Sequence, residues 1–178
     1  MHVLVLGIGN LLLQDEGVGV HVINELQRRF HFPPEVELLD GGTAGMELVE
    51  AMLDREQVII VDAIRSDETP GTLIQLEGDA VPAFLQQHLT PHQLGIADVL
   101  ATLTIAGRKP DRLILLGIVP GSMELSVTLS DELQGQFDEL VEQVAVKLTE
   151  FGVAPMPKQN LESRPSVGPL TGVPSDER

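Results

Sequence analysis

Short apolar runs and longer stretches of mixed apolar and polar residues alternate along the chain. The runs are typical of buried strands and predict five of them, at 2–6, 35–40, 58–61, 72–77 and 112–118. In the mixed stretches apolar residues recur every three or four positions, which predicts helices at 16–30, 44–53, 81–88, 98–106 and 130–151. Strands that alternate with helices favour a mostly parallel sheet covered by helices on both faces, so the predicted fold class is α/β.

The residues beside these stretches give boundary signals. Asp15 precedes the first helix and is expected to cap its N-terminus, because a carboxylate can accept hydrogen bonds from the unpaired N–H groups there. From position 155 onward the chain contains five prolines and few large apolar side chains. Such a composition buries too little apolar surface to offset the loss of chain entropy. We therefore predict one domain at 1–154 and a disordered tail at 155–178.

The charge and the composition exclude several classes of function. The 178 residues include 27 acidic and 11 basic side chains, a formal net charge of −16, which would repel nucleic-acid phosphates and anionic lipid. The acidic and basic side chains of 155–178 cancel, so this charge belongs to 1–154. The chain has no cysteine, which excludes disulfides, thiolate metal sites and a cysteine nucleophile.

No segment carries the marks of export or of membrane insertion. The first residues lack the basic stretch of a signal peptide, and glycines interrupt their apolar run at positions 7 and 9. No apolar stretch reaches the roughly 18 residues that a membrane-spanning helix needs. We therefore expect a cytoplasmic protein that neither inserts into membranes nor binds nucleic acid.

In sheets of this kind, ligands bind at the carboxyl ends of the strands. The first such end, with glycines at 7 and 9, hints at a dinucleotide-binding turn, but Leu12 stands where that motif has its third glycine. Asp15 and Glu16 would also repel a pyrophosphate there. A nucleotide-dependent enzyme is therefore the less favoured alternative.

Three other residues at or near these strand ends carry metal-binding side chains. Glu16 follows the first strand, and Asp62 comes directly after the apolar run at 58–61. His92 lies in a predicted loop, because Pro91 interrupts a helix at this point. Two carboxylates and one imidazole suit a divalent metal such as nickel or zinc. The spacing alone leaves open whether the three side chains converge.

A glycine-rich segment at 40–45 follows the second strand. Its three glycines permit a close approach between the backbone and a ligand. The segment is equally consistent with a simple turn in which Asp40 or Thr43 caps the next helix.

Four motifs give the chain a resemblance to the NiFe-hydrogenase maturation endopeptidases, in particular to those that serve membrane-associated uptake hydrogenases. They are GIGN at 7–10 together with DEG at 15–17, DGGTAGMEL at 40–48, DAI at 62–64 and PHQLG at 91–95. The resemblance spans positions 1–157. It implies a three-layer αβα sandwich around a twisted, mostly parallel sheet of five strands.

The resemblance also implies a function and a set of site residues. Such proteins remove a C-terminal extension from the precursor of the hydrogenase large subunit after nickel insertion, with the nickel supplied by the precursor and no organic cofactor. Glu16, Asp62 and His92 are implied to contact the metal and to serve catalysis through it. The residues implied to bind and select the substrate are Asp40, Gly41, Gly42 and Thr43, and Asp40 is a further candidate for assisting cleavage.

A different class of function remains open on the sequence alone. The same three metal-binding residues would serve a nickel-dependent carrier or checkpoint protein that docks on the precursor without cutting it. In either role we expect the protein to act as a monomer.

Overall fold

The computed structural model describes residues 2–87 and 91–158, and for Pro91 and His92 it describes the backbone alone. Its main sheet is formed by β1 (Val3–Ile8), β3 (Val36–Gly42), β4 (Gln57–Ala63), β5 (Leu73–Glu77) and β6 (Arg112–Ile118). The strands lie in the order β3-β1-β4-β6-β5. The first four in this order run parallel, and β5 runs antiparallel to β6. The predicted α/β class with a mostly parallel sheet of five strands is confirmed.

Helices cover both faces of this sheet. They are α1 (Val18–Arg29), α2 (Leu48–Met52), α3 (Ala80–Gln87), α4 (Pro91–Ile105) and α5 (Asp131–Glu150). Apolar side chains of α1 and α5 form one core layer with the sheet, and those of α2, α3 and α4 form the other. The predicted three-layer sandwich is therefore confirmed. In the described part of the chain, no helix combines the length and the apolarity needed to span a bilayer.

The three central strands explain the unbroken apolar runs of the sequence. Every residue of β1 is buried, and β4 and β6 each have a single residue that is not. A strand covered by helices on both faces has no solvent side on which polar residues could alternate. The strand ends are in register, since Gly7 pairs with Asp40 on one side and Val61 on the other, and Asp62 pairs with Gly117. These pairings align the candidate site segments along one edge of the sheet.

Helix α4 begins seven residues earlier than the periodicity predicts, at Pro91 rather than at Asp98. The predicted loop around His92 was therefore wrong. Proline is well tolerated in the first turn of a helix, where its missing N–H would have no partner and its fixed φ angle suits the backbone. His92 consequently lies in the first turn of a helix.

A second, two-stranded sheet was not predicted. It pairs β2 (Phe30–His31) antiparallel with β7 (Met156–Pro157), and Lys158 N donates to Arg29 O at 2.8 Å. Strands of two residues have no periodicity that a sequence could reveal. Met156 and Pro157 belong to the segment for which the sequence predicts a tail. Residues 159–178 lie outside the described part, so their disorder stays a prediction.

Helix α1 lies unusually close to the sheet at its first turn. A Cβ atom added to Gly19 would come within 2.2 Å of the carbonyl oxygen of Val61 and 2.4 Å of that of Ile8. Both neighbours are strand backbone, which cannot move aside as the end of a flexible side chain can. Glycine at this position therefore lets the start of α1, and the residues just before it, rest on the ends of β1 and β4.

We predict that Gly19→Ala lowers the free energy of unfolding by about 1–3 kcal/mol, the usual effect of overpacking a core. Thermal or urea denaturation measures the change. Gly135→Ala in α5 is the matched control, because a Cβ there meets nothing within 4 Å. That control should stabilise the protein by about 0.5–1 kcal/mol through helix propensity. A Gly19→Ala protein as stable as the unsubstituted one would show that the close approach does not limit the fold.

Candidate functional site

Loops from several strands meet at the carboxyl edge of the main sheet. The loop after β1 is tied to the end of β3 by Gly9 N, which donates to Gly42 O at 2.8 Å. The loop after β1 is also tied to the one after β6, because Gln14 N donates to Ser126 O at 2.8 Å. The segments that the sequence singles out therefore belong to one connected edge of the molecule.

Glu16 lies in a 3-10 turn, Gln14–Gly17, directly before α1. The residue is 9% exposed, so its carboxylate is largely withdrawn from bulk water. Gly19, three residues further on, is in close contact with the carbonyl group of Val61. The turn that carries Glu16 is thereby placed over the end of β4, next to the strand position where Asp62 follows Val61.

Asp62 is buried at the end of β4, with 1% of its surface exposed. The side-chain amide of Gln93 donates to Asp62 Oδ2 at 3.0 Å and to Ala63 O at 3.1 Å. Gln93 is itself 1% exposed and lies in the first turn of α4. This amide therefore links α4 to the end of β4 and orients the carboxylate of Asp62. The sequence contained Gln93 within a motif but offered no sign of this role.

His92 precedes Gln93 in the first turn of α4. Its backbone is thus adjacent to the residue that contacts Asp62, whereas its side chain lies outside the described part of the structure. Among the described side chains, no group of three or more histidines and acids could hold a metal ion. The convergence of Glu16, Asp62 and His92 on one metal stays a prediction.

Asp40 occupies a different position from Asp62. Its side chain is exposed, and Oδ1 accepts a hydrogen bond from Gly42 N at 2.9 Å. Asp40 and Val61 both pair with Gly7, one on each side, so they lie level with each other and two strand spacings of about 4.8 Å apart. Residues that are level across a sheet point to the same face, and side chains alternate between the faces along a strand. Because Asp62 is the residue after Val61, its side chain points to the face opposite that of Asp40. The structure does not bring these two carboxylates together.

The segment at 40–45 contains the last residues of β3 and the turn after it, and this turn packs against α4. Neither Asp40 nor Thr43 caps the next helix, since α2 begins after Glu47 without a side-chain cap. Of the two alternatives that the sequence leaves open for this segment, the capping turn is therefore not formed. A Cβ atom on Gly95 would lie 2.9 Å from the Cα of Gly45, so the turn touches α4 backbone to backbone. Gly45 N also donates to Glu47 Oε2 at 3.0 Å, and backbone N–H groups lower the pKa of Glu47.

Asp15 has a role that differs from the predicted helix cap. The residue capping α1 is Gly17, which makes no side-chain cap hydrogen bond. Asp15 is fully buried, and its Oδ2 accepts from Gly121 N at 2.8 Å, Ser122 N at 2.9 Å and Ser130 Oγ at 2.7 Å. Its Oδ1 accepts from Ser130 N at 2.7 Å. A charge taken fully out of water is tolerated because four donors replace its hydration.

These four bonds fix the loop between β6 and α5 against the turn of Glu16. Ser130 caps α5, and its Oγ accepts from Leu133 N at 3.4 Å while donating to Asp15. The partners of Asp15 lie more than 100 positions away in the chain. No local pattern of the sequence could have identified them, and the position of Asp15 before a helix favoured the cap instead.

We predict that Asp15→Asn lowers the free energy of unfolding by about 2–4 kcal/mol, because an NH2 group would face N–H donors and the charged acceptor would be lost. Thermal denaturation measures the stability. Hydrogen exchange should show faster exchange at the amides of 121, 122 and 130. Asp131→Asn, at an exposed carboxylate in the first turn of α5, is the control and should stay within about 0.5 kcal/mol. Equal stability of the two variants would contradict the role of Asp15.

The chain matches a known protein family and several of its members. A family model described as hydrogenase maturation protease matches residues 20–147. The hydrogenase 2 maturation protease of Escherichia coli K12 is 44% identical over 160 residues, which cover 89% of this chain and 98% of that protein. The hydrogenase expression/formation protein HupD of Rhodobacter capsulatus is 38% identical over 153 residues, covering 85% of this chain and 73% of HupD.

Solved structures share the fold as well. The hydrogenase maturating endopeptidase HybD from E. coli matches with a TM-score of 0.86 and 43% identity, covering 89% of this chain and 98% of that one. The [NiFe] hydrogenase maturation protease HybD from Thermococcus kodakarensis matches with a TM-score of 0.68 and 29% identity, covering 83% of this chain and 99% of that one. The second match shows that the architecture persists at much lower identity.

Proposed function

We propose a specific role for this chain, which belongs to the hydrogenase maturation protease family. As a member it is a hydrolase, an endopeptidase of hydrogenase maturation. The proposal is that it removes the C-terminal extension of a NiFe-hydrogenase large-subunit precursor after nickel insertion. The nickel arrives bound to the precursor and is recognised through Glu16, Asp62 and His92. That this protein is cytoplasmic and monomeric stays a prediction.

The observation that carries the proposal is the buried carboxylate of Asp62, held by Gln93 at the strand end beside the turn of Glu16. Carboxylates are rarely fully buried without partners, and those buried at a strand end in an α/β sheet, where ligands bind, are candidates for a functional role. Glu16 and Asp62 offer oxygen, and His92 would add nitrogen, a donor set that suits a divalent metal of intermediate softness. Because the chain has no cysteine, it cannot offer nickel a thiolate. Such a site can contact nickel without removing it from a precursor that holds it through sulfur.

Two chemical roles fit these residues. Nickel of the precursor, contacted by Glu16 and Asp62, can polarise the carbonyl of the scissile peptide bond or lower the pKa of a water that attacks it. Alternatively, nickel serves only to position the precursor, and a carboxylate accepts a proton from the attacking water. In both cases Gln93 keeps the carboxylate of Asp62 in one orientation.

The surroundings of the site suit a protein substrate. Met46 and Leu94 are 50% and 48% exposed and are the chain neighbours of Gly45 and Gly95, whose backbones meet. Leu12, in the loop before Glu16, is 58% exposed. Large apolar side chains that are exposed near a site are typical of a surface that another protein covers. In the same region Asp40 and Thr43 are exposed, so we assign 40–43 to contacts that select the precursor rather than to bond cleavage.

We predict that Glu16→Gln and Asp62→Asn each lower kcat/KM for cleavage by at least about 100-fold while the far-UV circular dichroism is unchanged, because each removes a charged metal-contacting oxygen. The assay incubates the protein with the nickel-loaded cognate precursor under anaerobic, reducing conditions and follows the mass lost from its C-terminus. Glu139→Gln on the exposed face of α5 is the control and should cleave normally.

Two results would contradict the proposal. Full activity in both site variants would remove Glu16 and Asp62 from the mechanism. A stable complex between the unsubstituted protein and a precursor of unchanged mass would instead favour the carrier or checkpoint role.

We predict that Gln93→Leu lowers kcat by about 10- to 100-fold, since a partner that orients a metal-contacting side chain typically has an effect of this size. Gln93→Glu should lower it further, because a second carboxylate would face Asp62 without a donor. Gln136→Leu, at an exposed position of α5, is the control. Thermal denaturation accompanies the kinetics, so a loss of kcat without a matching loss of folded protein at the assay temperature identifies the orienting role. Wild-type kcat in Gln93→Leu would refute it.

A further inference from the structure

Positive charge is distributed very unevenly over the described part of the chain. Eight of its nine lysines and arginines lie toward the amino edge of the parallel strands, where they pair with carboxylates, a carbonyl oxygen or an aromatic ring. They are Arg28, Arg29, Arg55, Arg108, Lys109, Arg112, Lys147 and Lys158. Arg65 is the ninth, and it follows the end of β4 at the opposite edge, three positions after Asp62.

Arg65 also differs in its partner. Its Nη2 donates to the thioether sulfur of Met123 at 3.2 Å, and a thioether is a weak acceptor. Asp67 and Glu68 lie only two and three positions further along, yet within the described residues Arg65 forms no ion pair with them or with any other carboxylate. In a chain with 27 acidic side chains, this guanidinium keeps its capacity for a strong bidentate partner.

The guanidinium is nevertheless well placed. Ile64 N donates to Ile118 O at 2.9 Å, which holds the backbone just before Arg65 against the end of β6. Met123 is partly buried and packs against the core, and the loop that carries it is fixed through Gly121 and Ser122 by Asp15. Arg65 is therefore an exposed cation between two anchored segments at the edge that holds the candidate site.

We propose that Arg65 binds a carboxylate of the C-terminal segment of the precursor, an inference that rests on the proposed function. A planar guanidinium matches a carboxylate with two parallel hydrogen bonds, and carboxylate is the anion that a protein substrate offers. The edge around Arg65 carries the acids Glu16, Asp40, Asp62, Asp67 and Glu68, and it repels any anion that lacks a specific partner. Arg65 thus selects precursors whose C-terminal segment carries a carboxylate within its reach. Binding this carboxylate costs Arg65 only its weak hydrogen bond to the sulfur of Met123.

The test compares steady-state cleavage of the nickel-loaded cognate precursor by the unsubstituted protein, Arg65→Met and Arg65→Lys. We expect Arg65→Met to raise KM about fivefold with kcat within about twofold, and to flatten the dependence of kcat/KM on salt. Arg65→Lys should give an intermediate KM, because it keeps the charge and loses the bidentate geometry. Arg108→Met is the matched control, since Arg108 is 53% exposed and pairs with Asp54 at the other edge.

Two further precursors distinguish the source of the carboxylate. One carries amides in place of the acidic side chains of its C-terminal segment, and the other has an amidated chain end. The precursor that lacks the relevant carboxylate should show the raised KM with the unsubstituted protein and no additional rise with Arg65→Met. The inference is wrong, while the proposed function stands, if Arg65→Met cleaves with wild-type KM. It is also wrong if Arg65→Met raises KM for both altered precursors by the same factor as for the unaltered precursor. Absence of cleavage by the unsubstituted protein would overturn the proposed function and this inference with it.

Discussion

The buried carboxylate of Asp15 holds the loop after β6 and the start of α5 against the turn that precedes α1. It accepts four hydrogen bonds from the loop after β6 and from the residue that caps α5. An ionised group with no exposure to water is tolerated only when donors replace its hydration, so all four donors must stay in place. The adjacent Glu16 and the anchored loop beside Arg65 both take their positions from this arrangement.

Backbone contacts without side chains determine how closely the remaining segments approach. The first turn of α1 reaches the ends of β1 and β4 because Gly19 has no Cβ, and the turn after β3 reaches α4 because Gly45 meets Gly95. These contacts leave little freedom for the loops to shift relative to the sheet. Together with the bond from Gln93 to Asp62, they give the candidate site rigid support, which metal and peptide chemistry requires.

The sequence predicted those features that depend on local pattern. The apolar runs at β1, β4 and β6 identified the buried strands, and the acid directly after one run singled out Asp62, which is buried at the end of β4. The start of α4 was missed because Pro91 looks like a breaker when its place in the first turn is unknown. The bonds of Asp15 and the orienting role of Gln93 depend on partners far away in the chain, and only the folded arrangement shows them.

The partners of Asp15 also have a consequence for the order in which the protein is made. A chain emerging from the ribosome exposes Asp15 and Glu16 early, whereas Gly121, Ser122 and Ser130 are added when about two-thirds of the chain has been synthesised. Until these residues are present, no donors can replace the water around the Asp15 carboxylate. Burial of the carboxylate is then unfavourable, so the turn that carries Glu16 is not held in its final position. The candidate site is therefore completed only when the chain has been made at least as far as Ser130, and a chain that ends before Gly121 lacks the donors that hold the turn of Glu16.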